Sequence, residues 1–88
     1  MQELKITIIN KAGLHARAAA KMVELTSTFS CDVRVGRDKL VDGKSILALM
    51  MLAAVMGAEL RIIVDGPDEE QAMLAICELV NNRFGESV

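Results

Sequence analysis

Apolar and polar residues alternate over Leu4-Lys5-Ile6-Thr7-Ile8, the period of a strand with one face on a core. Asn10-Lys11-Ala12-Gly13 carries turn chemistry and ends it. From Ala16 to about Thr28 the period lengthens: Ala19, Met22, Val23 and Thr26 recur at i, i+3, i+4 and i+7, while Lys21 and Glu24 fall off that stripe. This predicts an amphipathic helix, with Phe29 closing its apolar face. Alternation returns over Cys31-Asp32-Val33-Arg34-Val35, Gly36-Arg37-Asp38 turns, and Lys39-Leu40-Val41-Asp42 comes back as a short antiparallel partner. Ser45 then stands as N-cap before Ile46-Leu47-Ala48-Leu49-Met50-Met51-Leu52, a helix apolar all round that Gly57 is expected to end. Glu59-Leu60-Arg61-Ile62-Ile63-Val64-Asp65 supplies a fourth strand. In Gly66-Pro67-Asp68-Glu69-Glu70, a proline suited to a first turn and three acids at the positive dipole end predict a last helix. Its buried stripe is Ala72, Ile76, Leu79 and Val80, and Gly85 is its expected stop.

The order βαββαβα implies an α+β domain of two layers, an antiparallel sheet covered on one side by helices. The pattern also admits a ferredoxin-like sheet with an added helix. With 88 residues there is room for one core, so residues 1–88 are expected to form a single domain. The chain is 52% hydrophobic but only 2% aromatic, which makes that core one of Leu, Ile, Val, Met and Ala.

Ten basic and twelve acidic side chains leave a net charge of −2 with no long block of either sign. Nucleic-acid binding wants a basic face and stacking aromatics, and there is no Tyr or Trp. The start Met1-Gln2-Glu3-Leu4-Lys5 lacks the pattern of a signal peptide. The longest apolar run, Ile46 to Met56, falls short of the roughly 20 residues that span a bilayer. A soluble cytoplasmic protein, without membrane insertion, is the expectation. Cys31 and Cys77 form no CxxC pair and lack a second histidine to complete a metal site, so both are read as buried thiols, and no metal or cofactor is expected.

The chemistry gathers where Ala12-Gly13-Leu14-His15-Ala16-Arg17-Ala18-Ala19-Ala20 places the only histidine at the junction of a glycine turn and a helix. A helix opening there leaves the backbone N–H groups of Ala16, Arg17 and Ala18 without intrahelical partners. Those donors and the positive dipole end make an anion site beside a nitrogen nucleophile, and the Arg17 guanidinium adds a fork suited to phosphate oxygens. Three readings follow from the residues: a histidine that carries a phosphoryl group, a histidine that only caps, and a general base. The last lacks a neighbouring nucleophile.

Gly13-Leu14-His15-Ala16-Arg17 followed by small residues resembles the active-site motif of the HPr family, the histidine phosphocarriers of the bacterial sugar phosphotransferase system. Motif, element order and length agree over essentially the whole chain. The resemblance implies an open-faced sandwich with sheet order 1-4-2-3 and three helices on one face. It implies that His15 accepts a phosphoryl group on Nδ1 from enzyme I, with phosphoenolpyruvate as source, and passes it to an enzyme IIA domain, with Arg17 as anion partner. Such a chain is a relay, not an enzyme that turns over a small molecule alone, and a monomer is expected. The family's motif continues with Pro and Ala, where this chain has Ala18 and Ala19. Loss of that proline is expected to cost about 0.4–1 kcal/mol and to leave phosphoryl acceptance intact. Lys44-Ser45-Ile46-Leu47 with Met50 resembles the surroundings of the family's regulatory serine, the substrate of HPr kinase/phosphorylase. A phosphate on Ser45 is tolerated by a helix N-terminus but not by an apolar docking surface, and Ile46, Leu47 and Met50 are expected to form such a surface near His15. A paralogue in a nitrogen-related or regulatory phosphotransfer chain, and a ferredoxin-like binding module with a structural histidine, are the other readings.

Overall fold

A computed structural model describes residues 1–88. The elements are β1 (Gln2–Thr7), α1 (Ala16–Thr26), β2 (Asp32–Gly36), β3 (Leu40–Asp42), α2 (Ile46–Met51), β4 (Glu59–Asp65) and α3 (Glu69–Asn81), with a 3-10 turn over Arg83–Gly85. The four strands form one antiparallel sheet in the order β1-β4-β2-β3, the order that the resemblance implies. The alternating positions explain the register: Ile6 faces Leu60 across β1 and β4, and Val33 and Val35 face Val64 and Ile62 across β2 and β4. All seven of Ile6, Ile8, Val33, Val35, Leu60, Ile62 and Val64 are buried beneath the helices. The opposite face is open to solvent, where Arg61 forks onto the Glu3 carboxylate at 3.0 and 3.2 Å.

The helices close the core from one side. Ala18, Ala19 and Ala72 are fully buried, and small side chains suit the close packing of α1 against α2 and α3 and of α3 against β1 and β4. Met22, Leu49, Met73, Ile76, Val80 and Phe84 fill the space between. Burying each of the larger side chains contributes about 1.5–3 kcal/mol. Val23, Leu79 and Cys77, expected to be buried, are half-buried, and Met73 takes the inward place beside Ala72.

Three expectations need correction. First, α1 ends at Thr26 and not at Thr28. The buried Thr26 hydroxyl donates to the Gly43 carbonyl at 2.9 Å and fixes the helix end against the turn before α2. Second, α2 is six residues long and stops at Met51, well before Gly57. The Ala54 carbonyl accepts from the Leu14 N–H at 2.9 Å, and Ala53 adopts a left-handed φ of 50° to bring it there. Apolarity marked burial and exposure on this stretch, not helix. Third, Pro67 lies outside α3, one residue before the N-cap Asp68. The Asp68 carboxylate leaves its own helix uncapped and accepts from the N–H groups of Ser30 and Cys31 at 2.8 and 2.9 Å.

Candidate functional site

His15 is the N-cap of α1, with extended backbone (φ −80°, ψ −178°), and its carbonyl accepts the first helical bond from the Ala19 N–H at 2.8 Å. Two features hold it there. Gly13 has φ +72°, and a Cβ at that position would lie 2.4 Å from the Ala54 carbonyl oxygen, so only glycine permits the turn to dock so closely. Leu14, 4% exposed, anchors the turn in the core.

The imidazole is then oriented from both sides. Nδ1 accepts from the Arg17 N–H at 3.3 Å, and Nε2 hydrogen-bonds to Oε2 of Glu86. A carboxylate can only accept, so the ring proton sits on Nε2 and the Nδ1 lone pair faces the opening of α1. The first turn of α1 contains no acid, and the N–H groups of Ala16 and Ala18 have no acceptor within the chain. The positive end of the helix is thus left unneutralised beside a ring whose side chain is 28% exposed.

Glu86 reaches the ring by a route that sequence reasoning missed. After α3 the chain reverses through Arg83, Phe84 and Gly85, all left-handed with φ of 55°, 53° and 79°. That conformation costs an L residue roughly 1–2 kcal/mol. It is held by the fully buried Phe84 ring and by Lys21, whose Nζ donates to the Phe84 carbonyl at 2.7 Å. The Glu86 carboxyl is held below its ordinary range, first by a hydrogen bond from the Asn10 side chain, then by the one from His15, with the Arg17 charge adding to both. His15, Arg17, Lys21, Gly85, Glu86 and Ser87 line an open cleft of ≈ 600 Å³. Arg17 is exposed and pairs with no carboxylate.

Of the residues singled out from the sequence, His15, Arg17 and the backbone of Ala16 and Ala18 come together here. One detail differs: the Arg17 N–H is engaged by the imidazole itself. Ser45 lies apart and caps α2, its hydroxyl accepting from the Ala48 N–H at 3.2 Å. Ile46, Leu47 and Met50 are 42%, 69% and 40% exposed, and none of them lines the cleft. No three His, Cys, Asp or Glu side chains converge as metal ligands, and no helix is long and apolar enough to cross a membrane.

Fold and site together define a class, an open-faced α+β sandwich that presents a histidine nitrogen at the unneutralised mouth of its first helix. Residues 2–82 match the family model described as the PTS HPr component phosphorylation site. The phosphocarrier protein HPr of Pseudomonas aeruginosa is 56% identical, and that of Cupriavidus necator 49%, each over 98% of both chains. The crystal structure of HPr-C-His from Thermoanaerobacter tengcongensis superposes with a TM-score of 0.95 at 42% identity over the whole of both chains. The chain belongs to the HPr family, the phosphocarrier proteins of the phosphotransferase system.

Proposed function

We propose that His15 accepts a phosphoryl group on Nδ1 from phosphorylated enzyme I and hands it to an enzyme IIA domain during sugar uptake. The observation that carries this reading is the pair of hydrogen bonds on the ring, which puts the proton on Nε2 and the Nδ1 lone pair on the Arg17 N–H, at a helix mouth where the Ala16 and Ala18 amides are unspent. The Nδ1 lone pair attacks phosphorus while the bond from phosphorus to the enzyme I carrier atom breaks. The ring, still protonated on Nε2, becomes cationic, and Glu86 offsets that charge. The N–H groups of Ala16, Arg17 and Ala18 and the Arg17 guanidinium meet the phosphoryl oxygens. In the onward step the P–N bond breaks and the ring leaves as a neutral imidazole. The protein's share is positioning and charge stabilisation, as in other phosphoryl transfers. No cofactor enters the scheme, and the chain acts as a relay, a single cytoplasmic domain working as a monomer.

The exposed Ile46, Leu47 and Met50 serve partner docking, since flexible apolar side chains repack against more than one surface. Ser45, half-buried at their edge, is the regulated position in this reading, open to an HPr kinase/phosphorylase. The test is incubation with phosphoenolpyruvate and enzyme I. Acid-labile, alkali-stable label on the wild type, none on His15→Ala and about tenfold slower labelling of Arg17→Ala are expected, the Arg17 loss being that of a charged hydrogen bond. An unlabelled wild type would leave a binding module with a structural histidine.

A further inference from the structure

Asn10 lies between β1 and the turn that carries His15, and although polar it is 0% exposed. Its side-chain amide donates twice, to the Gly13 carbonyl at 2.8 Å and to Oε1 of Glu86 at 3.0 Å. Its own Oδ1 accepts no hydrogen bond within the chain. A buried acceptor without a partner is unfavourable, so a small apolar residue would suit this position if filling space were its only task. Both donors end on groups that flank one ring: Gly13 lies two residues before His15, and Glu86 is bonded to its Nε2.

The need for such a tie is visible in the tail. Phe84 and Lys21 fix the backbone as far as the left-handed turn, but a glutamate side chain beyond it retains several rotamers. Ser87 and Val88, which follow Glu86, are both exposed. Apart from His15 itself, the side chain that holds the Glu86 carboxylate is Asn10, which is in turn immobilised by the Gly13 carbonyl and by burial.

We propose that Asn10 is a positioning residue for phosphoryl transfer: it holds the Glu86 carboxylate on Nε2 of His15, so that the ring keeps its proton there and presents Nδ1 for attack. The inference rests on the carrier reading above for its kinetic half, while its structural half, control of the ring tautomer, holds in the unphosphorylated protein. The depressed ionisation of Glu86, caused first by the Asn10 bond, agrees with it. Secondary partners that orient a histidine commonly change activity by about tenfold or more when removed.

The tautomer is read from the ring 15N shifts of the full chain with the imidazole neutral. The wild type is expected to hold its proton on Nε2, and Asn10→Ala to spread it over both nitrogens while the Glu86 carboxyl titration, followed by 13C, moves up toward the ordinary range. Asn10→Leu, nearly the same shape but uncharged and without a donor, is expected to do the same, which separates hydrogen bonding from volume. Labelling from phosphorylated enzyme I is expected to slow about tenfold in Asn10→Ala and in Glu86→Ala, and adding Asn10→Ala to Glu86→Ala to change the rate by less than about twofold. An unchanged tautomer and Glu86 titration in both Asn10 variants would overturn the proposal, as would losses that multiply in the double variant. If Asn10→Ala does not fold, Asn10→Leu and Glu86→Ala still decide the tautomer. A wild type that takes up no phosphoryl group refutes the carrier reading and leaves the tautomer to judge Asn10.

Discussion

At the start of α3, Asp68, Glu69 and Glu70 meet the positive end of the helix, and the first two are spent on the protein itself. Asp68 binds the Ser30 and Cys31 N–H groups, while Glu69 binds the Gly66 N–H at 3.1 Å and the chain's amino terminus at 2.9 Å. The first turn of α1 has no acid of its own, the cap is a histidine whose Nε2 holds the Glu86 carboxylate, and the amides of Ala16 and Ala18 are free. Both ends carry the same macrodipole, so the difference lies in what the sequence sets against it. The N-terminus of α3 is neutralised from within, whereas in the carrier reading that of α1 is left for a phosphoryl group.

Making the start of α1 resemble the start of α3 should have the largest effect. Ala16→Glu, at an exposed position, places a carboxylate where phosphoryl oxygens would sit. It is expected to stabilise α1 by about 0.3–1 kcal/mol and yet to slow labelling of His15 by about 10- to 100-fold, with denaturation and transfer measured on the same sample. Ser45→Asp tests the remaining helix start: aspartate caps as well as serine, so stability is expected to stay within about 0.5 kcal/mol. Labelling by enzyme I should nevertheless fall several-fold through weaker docking, and an unchanged rate would remove Ser45 from the account.

Asp68→Asn attacks the other end. The Asp68 and Glu69 carboxyls are held below their ordinary range, Asp68 chiefly by the Ser30 N–H and Glu69 by the amino terminus and the Gly66 N–H. A carboxyl whose folded pKa is depressed contributes stability that is fully present above its unfolded pKa of about 4 and is lost as pH falls through the lower, folded value. Asp68→Asn is thus expected to melt lower than wild type at pH 7, to show a shallower acid limb that converges with wild type once the Asp68 carboxyl is protonated in the folded protein, and to label at the wild-type rate. The smallest effect belongs to Ala18→Pro. Position 18 is in the first turn and its N–H has no acceptor, so stability is expected to change by about 1 kcal/mol or less and phosphoryl acceptance to persist in both forms.

The strands and two of the three helices were legible because each buries one face and so prints a period on the sequence. β4 runs over the predicted Glu59–Asp65, and the caps at His15 and Ser45 follow from the residues that precede each helix. The end of α2 was not legible, since an unbroken apolar run says nothing of where a carbonyl is needed elsewhere. At the site, His15 and Arg17 stood out because five adjacent residues carry the motif. Glu86 and Asn10 did not. Glu86 is 71 positions from His15, and it is brought back by left-handed Arg83 and Phe84, residues that give no turn signal. Asn10 was read as part of the turn that ends β1, and turn chemistry accounts for an asparagine there without reference to its partners. Phe84, one of only two aromatic residues in the chain, was the clue available: a large side chain just beyond an amphipathic helix marks a tail that folds back.

In the carrier reading the protein offers Nδ1 of His15, and no other atom, to phosphorus. Labelling the chain with phosphoenolpyruvate and enzyme I and then reading 31P–15N couplings in the imidazole tests it directly. A phosphorus coupled to Nδ1, with a proton retained on Nε2, is the expected result. Phosphorus on Nε2, or a ring that stays unmodified while the label appears elsewhere, would contradict it.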